Sequence, residues 1–359
     1  MRHRIALILS IITLVSMLSG CSPELHERLL VSAIGIDSNA RGWNVTVLAY
    51  DPSEERETSF TGLGGTVASA LEEIVNQTGK TPMYSHCRAV IFGRSCAEYG
   101  LKSCMDFFVR HYDSRPNMKV LISDTSAESI LSLENDREQI DLSVLTDIER
   151  YSSFATSADL ISLINGTFSS SEAAVLPIIQ RDDDITVIGN GLLNEMKLVK
   201  ELNIEESRGM LILTESLDSG ELVFETESCG KISVYNRDCS STIKFTGTKE
   251  NPKFKIDVRI KGEISTIEYS MKKLSSDVFS EIESLYAGKA MNLIGQFLST
   301  AVIDCGTDVV GFGNAILVGN SKLRNSIQMN LSEYLKNAEY IIDITAIIDR
   351  IEEEDVPYF

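Results

Sequence analysis

Histidine, tryptophan and basic charge are all scarce in this chain. It holds four histidines, one of them His3 within the first twenty residues, and a single tryptophan, Trp43. Few histidines leave few groups that titrate near neutrality, so acid–base or metal chemistry has little to draw on. There is no Gly-x-Ser-x-Gly elbow, no His-Glu-x-x-His zinc motif and no Gly-x-x-x-x-Gly-Lys phosphate loop. Against 52 acidic side chains stand only 33 basic ones, a net charge of −19 with no basic patch to offset it. Such a chain is repelled by phosphate backbones and anionic lipid headgroups, which argues against nucleic acid as a partner. Beyond residue 20 there is also no apolar run approaching the roughly 20 residues that a spanning helix needs.

The one long apolar run lies at the start. Arg2, His3 and Arg4 precede Ile5 to Leu18, which are apolar apart from Ser10, Thr13 and Ser16. Charge followed by a short apolar core is the order of an export signal. Leu18-Ser19-Gly20-Cys21 then resembles a bacterial lipobox. Its small residues let a peptidase accept the extended backbone, and the Cys21 thiol receives a diacylglyceryl group and becomes the first mature residue. The competing reading is an ordinary signal with an incidental cysteine. Residues 1–20 are therefore expected to be a removable signal peptide and Cys21 a lipid anchor. Loss of Arg2 and Arg4 takes the net charge to −21. Lipid, at about 0.8 kcal/mol per buried methylene, holds an acidic body beside a membrane that its surface would otherwise avoid.

The mature chain reads as three units, 21–175, 176–262 and 263–359. In the first, Leu29–Ile36 and Trp43–Tyr50 form a predicted hairpin, and polar residues 51–59 a loop. Gly62, Gly64 and Gly65 lead into a helix capped by Thr66, with Val67, Leu71, Ile74 and Val75 on one face. Cys87–Phe92 reads as a buried strand, Cys96–His111 as a helix that Gly100 splits, and Met118–Ser123 as a strand, followed by a helix-rich stretch to Leu163. From Val175 the pattern turns to short strands: Asp184–Ile188, Gly191–Leu193, Met210–Leu213, Glu221–Thr226, Lys231–Tyr235, Ile243–Phe245 and Phe254–Tyr269. The strongest helical period spans Asp277 to Ile303, and its apolar stripe is expected to cover a sheet. A last strand, Tyr340–Ile348, precedes an acidic tail.

Candidate sites are few. His86, Cys87, Cys96, Cys104 and His111 are the nearest approach to a metal cluster, but their spacing fits no usual zinc pattern and buried thiols are the better expectation. Gly62-Leu63-Gly64-Gly65 lacks the lysine of a phosphate loop and reads as a flexible start to the helix. Asp182–Asp184 and Glu352–Asp355 read as a solvated turn and tail rather than calcium ligands. Arg110, Asp113 and Arg115 are candidates for partner contact, weighed against local pairing or solvation. Export permits disulfides, and Cys229 with Cys239, flanking a run that could fold as a hairpin, is the candidate bridge.

The order of short motifs resembles the GerAC family, the lipoprotein C subunits of bacterial spore nutrient-germinant receptors. The resemblance is carried by the lipobox cysteine, Gly35-Ile36-Asp37, Gly65-Thr66-Val67-Ala68-Ser69-Ala70-Leu71 and Tyr84-Ser85-His86. It continues through Gly93, Gly100-Leu101, Asp106-Phe107-Phe108, Arg110 to Arg115, Ile188-Gly189-Asn190-Gly191, Leu198-Val199-Lys200-Glu201-Leu202 and Asp308-Val309-Val310-Gly311-Phe312-Gly313. The chain departs from the family at Ser22 and Pro23, at His111 and Asp113, and in lacking a tryptophan before the last strand. The resemblance implies an α+β fold of three small mixed α/β domains in series and a non-catalytic role without cofactor. It also implies assembly with a polytopic A subunit and a transporter-like B subunit on the outer face of the spore inner membrane, in the complex that triggers germination. The alternative is a lipid-anchored extracytoplasmic solute-binding protein, which calls for two α/β lobes that the β-rich middle does not supply.

Overall fold

The structure, a computed structural model, describes residues 25–110, 115–133, 140, 142, 152–168, 171–227, 229–268, 275–319 and 330–349. Two sheets organise them. The first begins as a meander of β1 (Arg28–Asn39), β2 (Gly42–Asp51) and β3 (Arg56–Gly64), each antiparallel to the next. The expected hairpin of β1 and β2 is present. Residues 51–59 are not a loop throughout: β3 starts at Arg56, and its polar side chains are half-buried along one sheet edge. Half-buried edge strands carry no run of apolar residues, so alternation could not reveal this one.

Helix α1 (Val67–Thr78) follows at once, with Thr66 and Ser69 forming a reciprocal capping box and Gly79 closing the C-terminus in the left-handed region. It buries Val67, Ala70, Leu71 and Ile74, close to the expected face. Gly62 and Gly64 belong to β3 rather than to a flexible helix start. At Gly62 a Cβ would lie 2.1 Å from the Ala70 carbonyl oxygen, so the missing side chain is what lets α1 lie directly on the strand.

The centre of this sheet is parallel. A short β4 (Thr81–Met83) pairs with β1, and β5 (Ala89–Phe92) runs between β1 and β6 (Lys119–Ser123). Between β5 and β6, α2 (Arg94–Tyr99) and α3 (Lys102–Arg110) replace one long helix, divided at Gly100 as expected. Helices α4 (Ala127–Leu131) and α5 (Leu160–Thr167) follow. A second meander completes the sheet: β7 (Ala174–Arg181), parallel to β6, then β8 (Ile185–Asn194) and β9 (Lys197–Leu202). Leucine, valine and isoleucine of the strands pack on one face with residues of α1, α2, α3 and α5, and on the other with α4 and Ile185.

The second sheet has the order β10 (Glu221–Thr226), β11 (Gly230–Phe245), β12 (Lys253–Ile267), β13 (Glu339–Ile348), the last pair parallel. Its described helices contribute to one core: α6 (Ile204–Leu213), α7 (Ser276–Phe297) with a π-helical continuation over Leu298–Asp304, α8 (Phe312–Gly319) and α9 (Leu331–Lys336). The long helix covers the sheet as its stripe requires, burying Ile282, Tyr286, Ala290, Leu293, Ile294 and Phe297. Phe245, Phe254, Phe312 and Tyr340 pack ring to ring at centroid distances of 4.8–5.6 Å. Each such pair adds about 0.5–1.5 kcal/mol beyond area burial. The other face is charged, with Arg237–Glu263 at 2.5 Å and Lys255–Asp343 at 3.0 Å among its cross-strand pairs.

Three expectations change. Met210–Leu213 is the end of helix α6, which opens on a capping box of Asn203 and Glu206 and is buried almost all round. A helix without a polar face shows no helical period, and four apolar residues do not distinguish it from a strand. Lys231–Tyr235 and Ile243–Phe245 are one strand, β11, whose register shifts at two irregularities. The boundaries at 175/176 and 262/263 fall inside β7 and β12, so the described residues group around two sheets rather than units divided at those points. The acidic tail lies outside the described residues.

Two measurements follow. Gly62→Ala forces the strand and α1 apart and should cost about 1–3 kcal/mol in denaturant unfolding. The second concerns Asp51, whose carboxylate meets Lys80 at 2.5 Å. Burial pushes this carboxyl up, but the bonds from Lys80 and Ser53 outweigh it and hold it at about 2. The unfolded chain takes up this proton at about 3.9. The contribution is therefore complete above that value and is lost as pH falls toward about 2. Asp51→Asn should flatten the acid limb of the stability–pH curve there and lower stability at neutral pH.

Candidate functional site: buried polar junctions and the cleft between the sheets

The motif residues converge on three buried polar junctions. Asp37 ends the apolar run of β1, and its carboxylate accepts from the backbone N–H of Ala127 at 2.9 Å and of Glu128 at 3.0 Å, the first two residues of α4. Burial pushes its carboxyl above the ordinary range, and the two N–H donors pull it part of the way back. A Cβ on Gly93 would stand 1.7 Å from an Asp37 oxygen, so glycine there is what leaves the carboxylate room.

Asn190, on β8, is fully buried. Its Oδ1 accepts from the backbone N–H and the hydroxyl of Thr156, both at 3.0 Å. Its Nδ2 donates to the Phe154 carbonyl at 2.7 Å and to Ser207 Oγ at 2.8 Å. One side chain thus ties β8 to the 154–156 segment and to helix α6. Asp308, beyond the π-helical turn, accepts from the N–H groups of Gly311, Phe312 and Gly313 at 2.7–2.9 Å and so fixes the start of α8.

Asp308 and the 152–158 segment also border a cleft of about 1010 Å³. It opens where the first sheet divides, because β6 and β7 pair only at Ile122↔Ile178 and Ser123↔Ile179. Beyond that point β6 bonds instead to residues 158–160, with Val120 N–H donating to the Ala158 carbonyl at 2.9 Å. Alanine, serine and threonine dominate the walls, which include the carboxylates Glu215, Asp218 and Asp308 and, among the described residues, no lysine, arginine, histidine or cysteine. The Ser162 hydroxyl donates to the Asp159 carbonyl and so caps α5 from within the Asp159 box. The described residues of this arrangement can hold neutral or cationic groups by hydrogen bonding.

The predicted site residues are not drawn into one cluster. Cys21 and Asp113 lie outside the described residues. Arg110 is exposed and pairs with Asp106 one turn earlier at 2.8 Å, the local pairing weighed against a partner role. Arg115 is exposed on the turn before β6. His86 is exposed, whereas Cys87 is buried, its thiol pushed up to about 12 by burial. Among the described residues no three histidine, cysteine or carboxylate groups could hold a metal ion. The structure does not bring Cys229 and Cys239 together as the expected bridge requires. Cys229 directly precedes β11 and Cys239 lies nine residues along it from Gly230, about 30 Å away at roughly 3.3 Å per residue. A disulfide needs α-carbons within about 7 Å.

Asp37, Asn190 and Asp308 were visible in the sequence only as parts of motifs. The usable signal was a polar residue within three positions of a glycine at or beside an apolar run.

Residues 22–181 match the family described as the spore germination protein N-terminal domain, and residues 188–352 the family described as spore germination B3/GerAC like, C-terminal. No curated protein matches. Among solved structures, the crystal structure of the GerBC protein superposes with a TM-score of 0.62 at 15% identity, covering 88% of this chain and 97% of that one. At that identity the likeness establishes the fold.

Replacing Asn190 by alanine strands buried partners on two segments, 154–156 and helix α6. Each orphaned group costs about 1–3 kcal/mol, so the variant should show a lower urea midpoint with an unchanged slope.

Proposed function

The chain belongs to the GerAC family of spore germination proteins, the C subunits of nutrient-germinant receptors, and we propose that it is a lipid-anchored, non-catalytic subunit of such a receptor. Two family matches that together run from residue 22 to residue 352 carry this reading, joined to the Leu18-Ser19-Gly20-Cys21 motif directly before them. In this reading the signal peptide is removed at Cys21, and acyl chains on its thiol and amino group seat in the outer leaflet of the spore inner membrane.

Physical chemistry supports a tether rather than direct surface binding. The mature body carries a net charge of −21 after loss of Arg2 and Arg4. No helix among the described residues is long and apolar enough to cross a membrane. From Cys21 to the first described residue, Leu25, is four residues, at most about 14 Å of extended chain. The body is then held close to the bilayer and to polytopic partner subunits, which by the family's pattern are an A and a B subunit. Its contribution is to support assembly of the complex and to couple it to the germination response. Motif residues that cap helices and join segments, instead of lining a reactive site, fit that role.

Cys21→Ala spores test the tether. The subunit should leave the membrane fraction, and the response to nutrient should fall, while the purified body keeps its unfolding curve. Normal membrane retention with a normal response would refute it. Co-purification of polytopic membrane proteins with the unaltered chain tests the receptor assignment separately; an ABC permease and ATPase in their place would favour the solute-binding alternative.

A further inference from the structure

Three cysteines of the first sheet's helical side form an odd set, and the structure divides them into a pair and a single. Cys96 on α2 and Cys104 on α3 are both fully buried, with their sulfurs 3.6 Å apart. Cys104 also donates to the Leu101 carbonyl at 3.1 Å, at the start of α3 just after the corner at Gly100. Cys87 is placed apart from them, its thiol directed to the Ala89 carbonyl at 3.4 Å.

We propose that Cys96 and Cys104 form a disulfide in the exported protein, a covalent clamp on the corner between α2 and α3. It rests on the extracytoplasmic location proposed above, where an oxidised partner is at hand. A disulfide bond is about 2.05 Å long, so the two sulfurs need to approach by about 1.5 Å. The oxidant is a disulfide-bearing protein or small molecule outside the cytoplasm. One cysteine, as thiolate, attacks that disulfide and releases one thiol. The other cysteine then attacks the resulting mixed disulfide and releases the second. Two protons and two electrons leave the pair, and the oxidant's S–S bond becomes two thiols. The exchange takes place before the helices close over the core. In a chain that closed while still reduced, both sulfurs would be out of reach of solvent, and contact with Cys104 together with burial would keep the Cys96 thiol protonated.

The clamp meets a local need. Helices of six and nine residues are individually too short to persist. The glycine between them gives the unfolded chain extra freedom, which a cross-link removes. Leu101 at the same corner bonds to the Met196 carbonyl at 2.9 Å, so fixing the corner also fixes its contact with the second meander.

Trypsin provides the test. Cleavage after Arg94, Lys102 and Arg110 places Cys96 in the peptide 95–102 and Cys104 in the peptide 103–110. The full chain is purified from spore membranes with alkylating agent and denaturant present and reductant absent. The expected product is the two peptides joined, two hydrogens lighter than their sum and separated by reductant, with Cys87 alkylated in the same digest. Reductant should also lower the Tm of the unaltered chain by several degrees and leave the Tm of a Cys96→Ala, Cys104→Ala variant unmoved. Two alkylated, unlinked peptides overturn the proposal. If the amino-terminal peptide carries lipid at Cys21 in that case, the location stands and only the bridge fails; an unmodified Cys21 removes the location as well.

Discussion

A polar side chain taken wholly out of water has to find all its partners inside the protein, and Asn190 sets this condition at the centre of the molecule. Its amide has two acceptor sites and two donors, and Thr156, Phe154 and Ser207 meet all of them. Those partners lie on a connecting segment and on helix α6, while Asn190 itself sits on β8 of the first sheet. The bonds can all form only if sheet, segment and helix arrive together. An unmet amide would cost more than the net gain of a satisfied one, so the junction acts as a condition on assembly more than as a source of stability. Hydrophobic burial supplies most of the favourable free energy on both sides, and the amide selects the arrangement in which it is spent.

Asp37 and Asp308 apply the same principle at helix starts. A helix leaves its first N–H groups without intrahelical acceptors, and in both places a carboxylate takes them up, Asp308 from just before its helix. Asp37 does so from 90 residues away, reaching α4 from the end of β1. Such a bond couples elements that local propensity cannot couple. It also explains why Gly93 stands where it does: any side chain there would displace the carboxylate. The motif residues Asp37, Asn190 and Asp308 are therefore architectural.

Charge divides the molecule in another way. The second sheet covers its inner face with helices α6 to α9 and leaves its outer face to cross-strand ion pairs, which are worth little individually in water. They give solubility and discourage further stacking on that face. The chain's excess of carboxylates over basic groups repels anionic headgroups. The proposed lipid at Cys21 acts against that repulsion, and because the Debye length at physiological ionic strength is about 8 Å, a tether of a few residues is long enough.

Periodicity made the regular elements legible. Leu29–Ile36 and Trp43–Tyr50 alternate, the residues of α1 and α7 recur at threes and fours, Thr66 announces a cap and Gly100 a break; each is a signal confined to a few neighbouring residues. The ordered motifs likewise identified the family. What escaped was whatever depends on burial from every side or on distant partners. Helix α6 has no polar face to reveal its period, β3 hides polar residues along an edge, and β11 passes unbroken through a stretch that reads as two strands. The separation of Cys229 from Cys239, the contact of Cys96 with Cys104 and the roles of Asp37, Asn190 and Asp308 were decided by the tertiary structure alone. Hydrogen bonds and sulfur contacts join atoms that are near in space, and nearness in space between residues far apart in the chain comes into being only when the core closes.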